Sequence, residues 1–243
     1  MVKIPLILVG GGGHCKSVID VAESAGYTIL GILDKPEEVG KQVLDYKVIG
    51  TDDDIPQYVD KAEFLITVGQ IKSAAIRKKV AERIRNAGGR LATIIAPDAY
   101  ISKYASVGEG SIIMHRAFLN AEAVVGCNTI INTLTNLGHE VKVGDFCHLS
   151  TGVMVCGNVT IGDEVFIGSQ SVVNQGVQVS SEVVIGSMTC VNKSITESGT
   201  YAGVPAEKIK NVKQYADNKP VKTVMGGGKI ILPIYAACNR VAA

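Results

Sequence analysis

A strict six-residue periodicity runs through the second half of this 243-residue chain. From Ile95 to Val191 every sixth residue is Ile, Leu or Val, seventeen times without an insertion. An α-helix requires a period near 3.6 and a flat strand a period of 2, so neither can hold this pattern over about a hundred residues. Short strands joined by regular corners can. The repeat therefore predicts a parallel β-helix over residues 96–197.

Two further positions of each six-residue repeat are restricted. Four residues after each aliphatic residue the side chain is of modest size, which predicts a second inward-facing row. One residue after each aliphatic residue, eleven of the seventeen positions are Gly or Asn. Because these residue types tolerate positive φ, we expect a sharp corner at this position. With three repeats per coil, residues separated by eighteen should stack on one another.

The first ninety residues follow a different pattern. Apolar runs predict buried strands at 4–9, 27–33, 64–68 and 90–95, and helices at 14–25 and 73–86. Alternating strands and helices imply a parallel sheet with right-handed crossovers. We therefore predict a Rossmann-like α/β domain over residues 1–95, ahead of the β-helix. Residues 198–243 form a C-terminal segment whose apolar end suits an extra strand, a docking peptide or a tag added for protein expression.

Composition excludes several classes of partner. Lys plus Arg number 24 against 23 Asp plus Glu, so no basic surplus indicates nucleic acid or an anionic membrane. The apolar start, Met1–Val9, is too short for a signal peptide or a membrane span. The six cysteines form no Cys-x-x-Cys pair, which argues against a disulfide framework or a zinc ribbon. We expect a cytoplasmic protein.

A run of four glycines, Gly10–Gly13, lies between the first predicted strand and the first helix and is followed by His14, Cys15 and Lys16. Backbone N–H groups at such a helix start favour a phosphate group. The third glycine of the dinucleotide fingerprint is replaced by Cys15, so nicotinamide or flavin binding is not supported. The loop predicts a nucleotide diphosphate site, and close packing of strand on helix is the alternative.

Asp34 and Lys16 flank this predicted phosphate site. Asp34 ends the second strand, where such folds place a carboxylate for ribose or base contacts. The same position is equally typical of an ordinary turn aspartate. Lys16 can neutralise phosphate, or it can be a solvated lysine on the first turn of the helix.

Three of the four histidines lie in the repeat region, so a zinc site has to be considered. His115, His139 and His148 are separated by 24 and 9 residues, whereas ligands on one face should be about eighteen apart. We therefore expect no metal.

His139 has the environment expected of a general base. The residues eighteen positions away on either side are Ala121 and Gly157, both small, and Glu140 follows at a corner from which its carboxylate can reach the imidazole. A solvated surface histidine is the alternative. No Cys or Ser stands in a nucleophile motif nearby, and direct acyl transfer from a thioester requires none.

These features together resemble a known family. The hexapeptide repeat, the glycine loop, the segment from Ile131 to His148 and the Tyr201–Ala206 ending are similar to the left-handed β-helix sugar O/N-acyltransferases of the sialic acid O-acetyltransferase and UDP-4-amino-sugar N-acetyltransferase type. The resemblance implies a homotrimer with acetyl-CoA in the groove between subunits and a nucleotide sugar on the N-terminal domain.

The resemblance also assigns residues to the site. His139 becomes the base that accepts a proton from the sugar amine, and Glu140 orients it. The residues implied for the sugar nucleotide are Gly12, Gly13, His14, Lys16, Asp34, Gly69 and Asn132. The residues implied for acetyl-CoA are His148, Gly157, Ser169, Ser187 and Pro205.

The chain departs from the family pattern in its nucleotide-sugar half. Gly12 replaces the usual serine, Cys15 a glycine, and Gln70 a common asparagine. Asp34 is followed by Lys35, where a second acidic residue is frequent. These changes concern the acceptor rather than acetyl-CoA.

We therefore predict an acetyl-CoA-dependent N-acetyltransferase that acts on a nucleotide-linked amino sugar, a UDP-4-amino-4,6-dideoxy sugar being expected. One alternative is an O-acetyltransferase for sialic acid or a related sugar hydroxyl. An alternative of another class is a non-catalytic trimer that binds a sugar nucleotide.

Overall fold

The computed structural model describes residues 4–209, so most of the predicted C-terminal tail lies outside the described residues. A five-stranded sheet flanked by two helices comes first, and a coil of three largely parallel sheets follows. The predicted fold class, a Rossmann-like α/β domain followed by a left-handed parallel β-helix, is confirmed.

The N-terminal domain is built around one mixed sheet. Its elements are β1 (Leu6–Val9), α1 (Gly13–Ser24), β2 (Ile29–Leu33), β3 (Gln42–Val43), β4 (Tyr46–Gly50), β5 (Glu63–Ile66) and α2 (Ala75–Asn86), with 3-10 helices at Pro36–Glu38 and Asp52–Gln57. The strand order is β3-β4-β2-β1-β5, and only the β3–β4 pair is antiparallel. Alternate residues of β1 point to opposite faces, so that Leu6 and Leu8 pack with α1 while Ile7 and Val9 pack with α2.

The sequence did not predict the β3–β4 hairpin, because β3 has only two residues and β4 lacks clean alternation. The strand predicted at 90–95 is also shorter than expected. Only Ile94–Ile95 forms a strand, β6, and it pairs with the coil. Leu91 makes a single bridge to Phe64 of β5, so this segment joins the two sheets.

The coil consists of short strands on three faces. The first face contains β6, β9 (Ile112–Ile113), β12 (Ile130–Ile131), β15 (His148–Leu149), β18 (Phe166–Ile167), β21 (Val183–Ile185), β23 (Gly199–Ala202) and β24 (Glu207–Lys208). The second face contains β7 (Tyr100–Ile101), β10 (Phe118–Leu119), β13 (Asn136–Leu137), β16 (Met154–Val155), β19 (Val172–Val173) and β22 (Cys190–Val191). The third face contains β8 (Ser106–Val107), β11 (Val124–Val125), β14 (Lys142–Val143), β17 (Thr160–Ile161) and β20 (Gln178–Val179).

From β6 to β22, strands on each face pair in parallel with a register of eighteen residues, as Leu119 does with Leu137 and His148 with Phe166. At the end of the first face the pattern changes, because β23 pairs with β21 at a spacing of sixteen residues and with β24 in the antiparallel direction. Apart from Ile95, which is 37% exposed, the apolar members of both predicted inward rows form one continuous core. Polar members of the second row stay satisfied inside it. The hydroxyl of Ser111, for example, donates to the carbonyl of Gly126 at 2.7 Å.

The explanation predicted for the Gly and Asn row is wrong. From Gly110 to Met188, positive φ occurs three residues after each aliphatic residue, as at Glu122 (φ 62°) and Glu164 (φ 59°), instead of one residue after it. The glycines permit close approach of neighbouring coils instead. A Cβ added to Gly126 would lie 2.6 Å from the carbonyl carbon of Gly144, and one added to Gly144 would lie 2.7 Å from that of Gly162.

Replacing Gly144 by Ala should destabilise the coil by about 1–3 kcal/mol, because the added methyl group overlaps backbone that cannot move independently. Thermal or denaturant unfolding measures this change. Asn174→Ala is the matched control, because Asn174 occupies the same position in an exposed repeat. That variant should stay within about 0.5 kcal/mol of the parent. Equal stability of the two variants would contradict the close-approach explanation.

Candidate functional site

A cavity of about 750 Å³ opens at the carboxyl ends of β1 and β2. The glycine loop forms one wall, and most of the remaining lining comes from residues 34–38, residues 51–53 and one side of α2. Gly10 has φ 105°, and a Cβ on it would lie 2.6 Å from Cγ2 of Val68, so only glycine fits there. Helix α1 begins at Gly13 without a side-chain cap or an acidic residue in its first turn. The first N–H groups of this helix are therefore not engaged by a side-chain cap.

Asp34 anchors the glycine loop as well as lining the cavity. One carboxylate oxygen accepts the N–H of Gly11 at 2.7 Å, and the other accepts the N–H of Lys35 at 2.8 Å. Asp34 therefore has the contacts of a turn aspartate, while its position in the cavity wall also fits a contact with ribose or base.

Of the other residues predicted to bind the sugar nucleotide, only some line the cavity. Gly12 lines the cavity, but Gly13, His14, Lys16 and Gly69 do not. Lys16 is exposed on α1, and Asn132 belongs to the coil.

Several charged residues in the cavity wall were not predicted from the sequence, among them Asp52, Asp53, Lys79 and Arg83. Arg83 forms an ion pair with Asp53. Partial burial and the nearby carboxylates of Asp34 and Asp53 raise the pKa of Asp52, against the opposing effect of Arg83 and Lys79. Their order in the chain gave no signal, since two of them follow the unpredicted β4 strand and two lie on α2.

A second polar group lies where the N-terminal domain meets the coil. His148, on β15, is buried, with Nδ1 2.7 Å from the carbonyl oxygen of Gln70 and Nε2 3.2 Å from Nδ2 of Asn132. A carbonyl oxygen can only accept, so Nδ1 carries the proton and Nε2 accepts the hydrogen bond from the amide. The ring of His14 lies 6.0 Å away, centroid to centroid.

Both of these histidines are held neutral. Burial, with a smaller contribution from the Arg77 charge, lowers the pKa of His148 to about 4 despite its backbone hydrogen bond. Burial and the neighbouring His148 and Arg77 lower the pKa of His14 to about 3. At neutral pH this group therefore offers hydrogen bonds without adding charge.

His139 lies at a different corner of the coil, between the second and third faces. Its Nδ1 is 2.9 Å from Oε2 of Glu140, and both side chains are more than half exposed, at 56% and 54%. Glu140 has φ 59°, the left-handed conformation of the corner residue. A Cβ on Gly157 would collide with the imidazole, so the ring rests directly on this glycine. Because Glu140 is bonded to Nδ1, Nε2 is the ring nitrogen that makes no hydrogen bond with Glu140.

The residues predicted for acetyl-CoA are divided between corners. Ser169 and Ser187 follow strands of the first face and stack with eighteen-residue spacing, whereas Gly157 lies beside His139. Within residues 4–209, no protein group accepts a hydrogen bond from the backbone N–H of either serine. Pro205 is exposed in the segment between β23 and β24. The structure thus brings His139 together with Glu140 and Gly157, and His148 together with Asn132 and His14, but does not join the two groups.

A metal site is not formed by the part of the chain that the structure describes, where no group of three or more His, Cys, Asp or Glu side chains is arranged to bind an ion. His115 pairs with Asp98 instead, at 2.6 Å from Nδ1. No helix within residues 4–209 is long and apolar enough to cross a membrane.

The chain is similar to known sugar N-acetyltransferases. Residues 5–84 match the PglD N-terminal domain family. The chain resembles a solved variant of perosamine N-acetyltransferase from Caulobacter crescentus with CoA and GDP-perosamine, at 27% identity and TM-score 0.80 over 85% of this chain and 97% of that one. The acetyltransferase domain of PglB from Neisseria gonorrhoeae FA1090 with acetyl coenzyme A gives 29% identity and TM-score 0.79 over 85% and 100%.

Over 85% of its length the chain shares the fold of these N-acetyltransferases, and its N-terminal part matches the PglD N-terminal domain family. It is also 32% identical to UDP-N-acetylbacillosamine N-acetyltransferase of Bacillus subtilis (strain 168) over 111 residues, which are 44% of this chain and 50% of that protein. The chain spans half or less of the length of the curated relatives it matches. The family resemblance inferred from the repeat and the glycine loop is confirmed.

The neutral histidines predict a pH dependence of stability. On unfolding, the pKa values of His14 and His148 return from about 3 and about 4 to near 6.5. The unfolded chain therefore binds more protons between about pH 4 and 6.5, and the free energy of unfolding should fall as the pH is lowered through this interval. Each histidine contributes a slope of up to about 1.4 kcal/mol per pH unit.

Denaturant unfolding from pH 7 to pH 4 measures this slope. A His14→Gln/His148→Gln variant should show a shallower slope than the parent, whatever its absolute stability. A parent and variant with parallel curves would show that these imidazoles are not buried in the neutral form.

Proposed function

We propose that this protein transfers the acetyl group of acetyl-CoA to the amine of a nucleotide-linked amino sugar. The observation that carries this proposal is His139, held on Gly157 and bonded through Nδ1 to Glu140, in a chain that also has a glycine loop at a cavity. The similar proteins from Caulobacter, Neisseria and Bacillus are all named as acetyltransferases.

In the proposed reaction His139 acts through Nε2. The Glu140 carboxylate accepts a hydrogen bond from Nδ1–H, which fixes the tautomer and leaves a lone pair on Nε2 for the proton of the attacking amine. As the amine nitrogen bonds to the acetyl carbonyl carbon, the carbon–sulfur bond breaks and the CoA thiolate leaves. His139 accepts one proton from the amine and can return it to the thiolate, so no covalent enzyme intermediate is required.

The glycine loop and the N-terminus of α1 are proposed to bind the diphosphate through backbone N–H groups. Gly12 lines the cavity, and Gly13 and the backbone of His14, which follow it in the first turn of α1 outside the cavity lining, would supply further donors. The nucleoside would then extend along the charged wall formed by residues 34–38, 51–53, Lys79 and Arg83. For the base we propose uracil, in keeping with the UDP-sugar named for the Bacillus relative. The GDP-perosamine of the Caulobacter enzyme makes guanine the alternative to be tested.

A homotrimer is proposed because one chain holds the two polar groups apart. His139 lies at the corner between the second and third faces, whereas His148 lies on the first face, under the N-terminal domain. Packing of coils side by side would allow one subunit to complete the site of the next. The second face carries exposed apolar side chains, among them Tyr100 (55%) and Met154 (43%), that suit such packing. We also propose a cytoplasmic location, where acetyl-CoA and sugar nucleotides are available.

Replacing His139 by Ala should lower the turnover number at least ~10²-fold, because the amine loses its proton acceptor. Thiol release from acetyl-CoA in the presence of a sugar nucleotide measures this rate. His115→Ala is the matched control, since His115 is also a corner histidine bonded to a carboxylate. The control should retain its activity. Full activity of His139→Ala would contradict the assignment of the base.

A panel of acceptors tests the substrate. UDP-, GDP- and dTDP-linked 4-amino sugars and free sialic acid are offered with acetyl-CoA, and products are identified by mass spectrometry. We expect an N-acetylated UDP-sugar. An acetylated GDP-sugar would show that the nucleobase is guanine. Acetylated sialic acid would show that the acceptor group is a hydroxyl instead of an amine. Acetyl-CoA binding by calorimetry without transfer to any acceptor would favour another acceptor, and absence of binding would favour a non-catalytic role.

A further inference from the structure

Arg77, on the inner side of α2, is a cation buried to 1% exposure and bonded only to backbone carbonyl groups. Nη1 donates to the carbonyl oxygens of Ile66 at 3.0 Å and Val68 at 2.7 Å, and Nη2 donates to that of Asn128 at 2.9 Å. Within residues 4–209 it has no carboxylate partner. Burying an unpaired charge costs free energy, so an apolar residue of similar size would serve packing better.

The three carbonyl groups belong to two different parts of the site. Ile66 ends β5, and Val68 lines the cavity and packs against Gly10. Asn128 lies in the coil, at a corner residue with φ 54°, two residues before β12. Strand β12 pairs directly with β15, where Ile130 lies opposite His148. Arg77 thus connects the cavity wall to the strand beside the buried histidine.

Neighbouring polar contacts cross the same boundary. The side-chain amide of Gln70 donates to the backbone carbonyl of Phe146 at 2.8 Å. The backbone carbonyl of Gln70 accepts a hydrogen bond from Nδ1 of His148 at 2.7 Å. Several buried polar atoms here, Nε of Arg77, Oε1 of Gln70 and both side-chain atoms of Asn128, have no hydrogen-bond partner among residues 4–209. A boundary selected for stability alone would not retain such groups, because each costs free energy when buried unpaired.

We propose that Arg77 is a positioning residue that fixes the nucleotide cavity relative to the coil, an inference that rests on the proposed function. A sugar held through its diphosphate can present its amine to the coil only if the distance between the nucleotide cavity and the coil is fixed. The planar guanidinium suits the task, because its donors diverge at fixed angles and can hold two segments at once. Lysine offers one ammonium group on a flexible chain and cannot reproduce that geometry.

The test compares Arg77→Met and Arg77→Lys with the matched control Lys78→Met. Lys78 is the next residue on α2 and also crosses the boundary, through an exposed ion pair with Glu164 at 2.7 Å. Steady-state acetyl transfer gives kcat and KM, calorimetry gives acetyl-CoA affinity, and circular dichroism checks folding. We expect a ~10²-fold fall in kcat for Arg77→Met, because small misplacement of reacting groups has effects of this size. The affinity for acetyl-CoA should be unchanged.

Arg77→Lys should fold even if the Met variant does not, and we expect it to lose kcat as well, to a smaller extent. Lys78→Met should match the parent, because exposed ion pairs contribute little. Parent-like kcat in a folded Arg77 variant would overturn the inference. So would an equal loss in Lys78→Met, or a loss of acetyl-CoA affinity that parallels kcat, since either would indicate general destabilisation.

A second readout does not depend on activity. NMR spectra of protein labelled at histidine, recorded at neutral pH, should show altered ring signals for His148 in Arg77→Met and, to a smaller extent, in Arg77→Lys, because its hydrogen bonds to Gln70 and Asn132 lie beside the Arg77 contacts. If the parent transfers no acetyl group to any sugar nucleotide, the proposed function fails. Histidine signals that do not respond to either Arg77 variant would then overturn the positioning role separately.

Discussion

The backbone ladder between successive coils is the constraint on which the rest of the structure depends. Gly144 donates its N–H to the carbonyl of Ile161 at 2.9 Å, while Glu140 donates to that of Ala121 at 2.9 Å, so each coil is bonded to the one before and the one after. An insertion would break bonds in both directions, which explains a repeat without interruption. Glycines follow from the same constraint, since adjacent corners approach too closely for a Cβ.

This ladder also distributes the chemical groups over the surface of the coil. It places His148 on the face that packs against the N-terminal domain and His139 at the corner between the other two faces. An apolar cluster that continues from α1 into Ile112 and Ile130 holds the domain on that face. Apolar packing has no directional preference, whereas the bonds of Arg77 and His148 are directional. The first supplies stability at the boundary, and the second fixes the alignment.

Residues governed by the repeat were predictable, and residues gathered by the fold were not. His139 could be selected because eighteen-residue spacing alone identifies Gly157 as its neighbour. Lys79 and Arg83 could not, because α2 reaches the cavity only through packing on the sheet. Glycine misled the prediction of corners, since the same residue type satisfies two needs, positive φ and close approach, and the sequence does not say which applies.

By itself the sequence determined the architecture, the order of the two domains, the position of the glycine loop between β1 and α1, and the pairing of His139 with Glu140. All of these depend on local or strictly periodic relations, which a linear pattern records. Only the tertiary structure decided that Asp34 anchors the loop, that His14 and His148 are buried and neutral, and that Arg77 joins the two domains. Those properties arise from burial and from contacts between distant segments, and neither is written in the spacing of residues along the chain.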